Sequence, residues 1–187
     1  MAMKRIGILA VALMFLASSA YAVEVAGVDM PDTLKAGDVN LVYNGGGKRT
    51  KFGMKVYVAS LYLKQKSSDA NAIINADEPM AIRLQITSGL VTPDKMKAAI
   101  DEGFENSTGG NVAPIQAKID AFTACFRNLA KDDVYDFVYQ PGKGVEILKA
   151  GKLVSVIQGL DFKKGLFGIW LCDKPAQKDL KEAMLGK

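Results

Sequence analysis

The stretch VYDFVYQPGKGVEILKAGKLVSVI, residues 134–157, constrains this chain more than any other. Three short apolar-rich segments, Val134 to Tyr139, Val145 to Leu148 and Leu153 to Ile157, are separated by Pro141-Gly142-Lys143-Gly144 and Lys149-Ala150-Gly151-Lys152. Both separators are turn sequences. Strands joined this tightly pair antiparallel, because a parallel partner needs a crossover of about a dozen residues or more.

Other segments extend the sheet. From Ala81 to Leu90, residues Ile82, Leu84 and Ile86 face one way and Arg83, Gln85 and Thr87 the other, as in a half-buried strand. Residues 23–43 read as extended, with a turn at 35–38, and the glycines at 45–47 are expected to break the strand ending at Tyr43. Residues 49–63 read as one long strand with a flaw. Phe52, Met54, Val56 and Val58 are in one phase, and Ala59, Leu61 and Leu63 are in the other. Such a slip calls for a bulge, a sharp bend, or burial of both faces.

Helical spacing accounts for the remainder. A short helix is expected over residues 67–76. Thr92-Pro93-Asp94 is a helix opening, with a capping hydroxyl, a proline at the first position and an acid near the positive end of the dipole. Its stripe is Met96, Ala99, Ile100, Gly103 and Phe104. Pro114 opens a second helix with Ile115, Ile119, Phe122, Phe126 and Leu129 on one side. Asp161 is placed to cap a further one around Leu166, Phe167, Ile169 and Trp170, and Asp173 and Pro175 reopen a last helix carrying Leu180, Met184 and Leu185. Strands linked by short turns, with helices gathered in the second half, argue an α+β fold: an antiparallel sheet with helices packed on one face.

Residues 1–22, MAMKRIGILAVALMFLASSAYA, read as a secretory leader, with Lys4 and Arg5 before an apolar run and Ala20-Tyr21-Ala22 as the cleavage pattern. Cleavage after Ala22 leaves residues 23–187 as a single domain, in the bacterial periplasm or outside the cell. Losing Lys4 and Arg5 lowers the formal net charge from +4 to +2, too little to suggest a nucleic-acid partner. No later apolar stretch is long enough to span a membrane.

Histidine is absent. That excludes a Ser-His-Asp triad, a Cys-His pair, an imidazole zinc site and a histidine-ligated haem. Cys125 and Cys172 either pair, as an oxidising compartment permits, or stay as separate buried thiols. Asp101-Glu102 and Asp132-Asp133 read as solvated surface charge. No cofactor or metal is expected.

Residues 44–63, NGGGKRTKFGMKVYVASLYL, gather Lys48, Arg49, Lys51 and Lys55 with no acid among them. This is not a phosphate loop, because Arg49 intervenes between Lys48 and Thr50 and a strand follows. Arg49, Lys51, Gly53, Lys55 and Tyr57 share one face of the expected strand. An arginine fork suits a carboxylate or phosphate, and the Tyr57 hydroxyl is near enough in sequence to help. By spacing alone, an outward-facing Arg49 is the better reading and an anion site the other.

Taken in order, this stretch, AIRLQITSGL, VTPDKMKAAIDEGF, IQAKIDAFTACF, the meander and the ending GLFGIWLCDKPAQKDLKEAMLG resemble the chalcone isomerase superfamily, most of all its exported bacterial chalcone isomerase-like members. The resemblance implies an open-faced β-sandwich, a large antiparallel sheet under a layer of helices, with a ligand cleft between them. In true chalcone isomerases an arginine acts with threonine, tyrosine and asparagine. The arginine falls on Arg49, the other three on Tyr57, Met96 and Gly103, and a further polar position near Ile169. Most of the isomerase machinery is thus replaced. The pattern is similar to the non-catalytic branch, which binds fatty acids. That implies Arg49 and Tyr57 at a carboxylate, with Met96, Ile100, Phe104 and Ile169 along an apolar cleft and Phe122, Phe126 and Leu166 as further tunnel or core residues. The expected partner is a small amphipathic acid and the expected state a monomer. The alternatives are an isomerase of different substrate and an interaction protein whose cleft is filled by its own side chains.

Overall fold

The meander at residues 134–157 forms three strands and is one end of a larger sheet. A computed structural model describes residues 22–187; the expected leader lies outside the described residues except for Ala22, which opens the first strand. Strands β1 (Ala22–Val25) and β2 (Val28–Pro31) form a separate hairpin. Strands β3 (Thr33–Ala36), β4 (Val39–Lys51), β5 (Met54–Leu63), β6 (Met80–Ile86), β7 (Val134–Gln140), β8 (Gly144–Lys149) and β9 (Lys152–Ile157) make a seven-stranded sheet in chain order. Every neighbouring pair is antiparallel. Helix α1 (Ala70–Asn75) joins β5 to β6, α2 (Pro93–Ser107) and α3 (Gln116–Ala124) join β6 to β7, and α4 (Leu160–Leu171) and α5 (Lys178–Met184) follow β9.

The alternation seen in the sequence sorts residues between the two sheet faces. Tyr57, Ala59, Leu61, Ile82, Leu84, Ile86, Phe137 and Ile147 meet the helices in one large core. On the opposite face Tyr62, Ala81 and Val138 are covered by Ala36 and Leu41 of the curled β3–β4 end, and Val58 by Val25, Val28 and Met30 of the β1–β2 hairpin. The Tyr62 hydroxyl donates to Pro31 O, 3.0 Å away, tying that hairpin to the sheet. Arg83 and Asp136, paired across β6 and β7, form a two-pronged ion pair at 2.6 and 2.8 Å.

Several expectations change. The glycines at 45–47 do not end a strand; β4 runs through them. A Cβ on Gly45 would collide with the Ala183 carbonyl, and one on Gly47 would sit 3.0 Å from Ala183 Cβ, so α5 lies directly on bare strand backbone. Asn44 bulges out of register beside them. Its amide donates to Met184 O (2.8 Å) and Ser67 O (3.0 Å), and its oxygen accepts from Ser67 N (2.8 Å).

Residues 49–63 are two strands. A tight turn at Phe52-Gly53, with φ of 52° and 76°, joins β4 to β5. The slip expected between Val58 and Ala59 is not there: these two alternate regularly and are fully buried on opposite faces, so burial of both faces accounts for the pattern. A bulge does occur, two residues earlier. Arg49 pairs with Tyr57 and Thr50 with Lys55, which leaves Val56 as an unpaired bulge residue. Val56 and Tyr57 therefore both pack on the helix side.

Thr92 caps α2 as expected, its hydroxyl accepting from Lys95 N at 3.3 Å. Asp161 is not the cap of α4. Gly159 holds that place at φ 107°, and Asp161, in the first turn, pairs with Lys118 at 2.7 Å. The second helix ends at Ala124, before Phe126 and Leu129, and the last begins at Lys178 rather than near Asp173. Cys125 and Cys172 are separate thiols. Among the described residues no helix is long and apolar enough to cross a membrane.

Candidate functional site

The β4–β5 hairpin brings Arg49 and Tyr57 together as a directly opposed cross-strand pair. The sequence expectation put them on one face of a single strand; the turn at 52–53 replaces that geometry. Arg49 Nη1 donates to the Tyr57 hydroxyl at 3.5 Å, and the guanidinium carbon lies 5.7 Å from the centre of the tyrosine ring. The bulge that aims this pair is held from α5: Gln177 Oε1 accepts from Thr50 N at 2.9 Å.

Trp170 completes the arrangement. Its indole Nε1 donates to the same Tyr57 hydroxyl at 3.0 Å. The phenol oxygen thus accepts from both Trp170 and Arg49. Its own proton finds no acceptor among the described residues. Since a phenol donates one hydrogen bond and accepts up to two, the unused valence is the donor.

Two cavities meet at this point. The inner one lies between the sheet and α2, α3 and α4, against Met96, Ile100, Phe122, Phe126, Phe137 and Ile169, and holds only about 30 Å³. The outer one lies between the hairpin tip and the start of α2, against Met54, Val56, Leu90, Val91 and Met96, and measures about 280 Å³. Arg49, Tyr57, Met96 and Ala99 line both. The inner space suits about one water, and the outer approaches the size of a small-molecule pocket, about 300 Å³ and upward.

Of the residues singled out in the sequence, Arg49, Tyr57, Met96, Ile100 and Ile169 line these cavities. Phe104 does not. It is fully buried, stacked on Phe162 at 5.6 Å and edge-on to Phe122 at 6.2 Å, and belongs to the core. Leu166 is likewise core, with no exposure. Sequence reasoning read Trp170 only as part of an apolar cluster. The available signal was its indole N–H, a buried donor that needs a partner.

The family model for chalcone isomerase-like proteins matches residues 22–186. The chain belongs to the chalcone isomerase-like family. Among solved structures it is similar to a fatty-acid binding protein of Arabidopsis thaliana, with a TM-score of 0.67 and 17% identity over 85% of this chain and 92% of that one. At that identity the likeness is one of fold. No curated protein matches in sequence.

Within this chalcone isomerase-like chain, the two helix positions that the resemblance assigns to tyrosine and asparagine are chemically spent. Met96 turns a thioether to the junction of the two cavities. Gly103 is where α2 meets α4: a Cβ there would lie 2.8 Å from Ile169 Cγ2. The contact recurs where a Cβ on Gly168 would lie 2.7 Å from Ser107 Cβ. A larger side chain at Gly103 has to push the helices apart, so the position serves packing.

Proposed function

We propose that this chain binds a fatty acid or similar amphipathic carboxylate without transforming it, in the periplasm or outside the cell, where its leader would direct it. One observation carries the reading: two unspent donors stand at the junction of two apolar cavities. Arg49 is half-buried and has no carboxylate partner among the described residues. Tyr57 has an unassigned hydroxyl proton beside it. A carboxylate placed there takes up both, and hydrogen bonds to a charged group are the strong class.

The acyl chain then lies outward along Met54, Val56, Val91 and Met96, because the inner space of about 30 Å³ is too small for it in this conformation. Met96, at the shared wall, is the flexible residue whose rotation would deepen the site. The fatty-acid binding neighbour supports the ligand class by analogy of fold.

Arg49→Ala is expected to weaken fatty-acid affinity by about ten- to a hundredfold, the loss of a charged hydrogen bond, at unchanged fold. Titration calorimetry against a saturated fatty acid measures it. Equal affinity in wild type and variant would overturn the proposal.

A further inference from the structure

We propose that the open end of this cleft docks on an anionic lipid surface, with Phe52 and Leu90 entering the bilayer interface. The β4–β5 turn presents Phe52 with 88% of its surface exposed, and the loop before α2 presents Leu90 at 50%, both on the rim of the outer cavity. Met54, 44% exposed, lies beside them. Large apolar side chains in water at one rim gain by leaving it.

Charge identifies the occupant. Arg49, Lys51 and Lys95 line the same rim, and no acidic residue does. Lys95 Nζ donates to Leu90 O at 3.0 Å, which sets a cation beside one apolar anchor, and Lys51 Nζ lies 6.0 Å from the centre of the Phe52 ring, beside the other. Apolar anchors ringed by cations match the acyl boundary and the anionic headgroups of one surface.

Turn chemistry does not explain Phe52. Both central residues of the turn have positive φ, 52° and 76°, a conformation that favours Asn or Gly at the first place and disfavours a bulky ring. Phe52→Asn therefore suits the turn better while removing the anchor. A purely structural Phe52 would behave in the opposite way.

The test is sedimentation of the full chain with vesicles of phosphatidylglycerol or phosphatidylcholine, free of fatty acid. The wild type is expected to sediment with phosphatidylglycerol and not with phosphatidylcholine. Salt should release it, as the screening length falls from about 10 Å at 0.1 M to about 3 Å at 1 M. Phe52→Asn with Leu90→Ser is expected to lower partition at least about tenfold, at a melting temperature no lower than wild type. A wild type that stays in the supernatant, as it would if the patch serves a protein partner, overturns the proposal. So does equal partition of wild type and double variant. No acid is present in this assay, so a failed Arg49→Ala titration leaves the docking result standing, and the reverse also holds.

Discussion

Replacing Lys163 with methionine will cost about 3 kcal/mol and will release α1 before the rest of the fold. Lys163 sits at the end of the first turn of α4 with none of its surface exposed. Its ammonium donates to Ile73 O at 2.7 Å, Ile74 O at 2.9 Å and Ala76 O at 2.8 Å. These are carbonyls of the last turn of α1 and of its capping residue, and the helix carries no basic residue of its own there. The three donors of one ammonium thus close a neighbouring helix that has only six residues. Without them each carbonyl loses a bond worth about 1 kcal/mol or more. Denaturant melts of the two proteins check the loss, and hydrogen exchange of the α1 amides checks its location. Lys163→Arg should restore little, because a planar fork cannot reach three carbonyls as a tetrahedral ammonium does.

The same residue sets a pH dependence. Burial draws the Lys163 ammonium down from its ordinary 10.5 to about 8. Between those values the unfolded chain holds a proton that the folded chain has released. Unfolding then takes up a proton, so this group adds stability as pH rises across the window, by at most about 1.4 kcal/mol per pH unit. The difference between wild type and Lys163→Met is expected to widen from pH 8 upward; a constant difference would show that burial does not shift the group.

Gly45→Ala is expected to cost a similar amount, about 3 kcal/mol, by lifting α5 from the sheet. The added Cβ would meet backbone on three sides: the Ala183 carbonyl, Met184 O at 2.9 Å and Gly186 N at 3.0 Å. None of these is a flexible side-chain end. Lifting the helix exposes Leu180, Met184 and Leu185, each at most 4% exposed in the fold. It also withdraws Gln177 from the bulge that aims Arg49. Gly89→Ala is the control. A Cβ there has nothing within 4 Å, and its effect should stay within about 0.5 kcal/mol. Thermal melts of the two variants settle the comparison.

Much of the sheet was legible because its signals are local. The two turns at 141–144 and 149–152, the alternation of Ile82, Leu84 and Ile86, and the Thr92 cap each act within a few residues of themselves. The departure from simple alternation in β5 was visible too, but it was read between Val58 and Ala59, where both faces are buried, whereas the bulge itself sits at Val56. What escaped depends on distant partners. Three glycines in a row look like a breaker until a helix far along the chain needs their missing side chains. Arg49 and Tyr57 were read as neighbours along one strand, whereas the Phe52-Gly53 turn makes them neighbours across two. The candidate site was legible in its arginine and tyrosine but not in Trp170, whose donor has meaning only when the phenol it meets is known. Phe104 shares its helical stripe with Met96 and Ile100, yet helix spacing does not tell a core contact from a cavity wall.

The glycine row also sets a timetable for folding. Each strand of the large sheet has its partner next in sequence order, so pairing can proceed from neighbour to neighbour. The hydrogen bond from Asn44 to Met184 spans 140 positions, and that from Thr50 to Gln177 spans 127. Both join β4 to α5 or its cap, and closing so long a loop costs more entropy than pairing neighbours. Until α5 docks, β4 keeps a bare patch of backbone and the arginine bulge lacks its glutamine. The sheet can thus pair before the site is finished, because the site waits for α5 to dock.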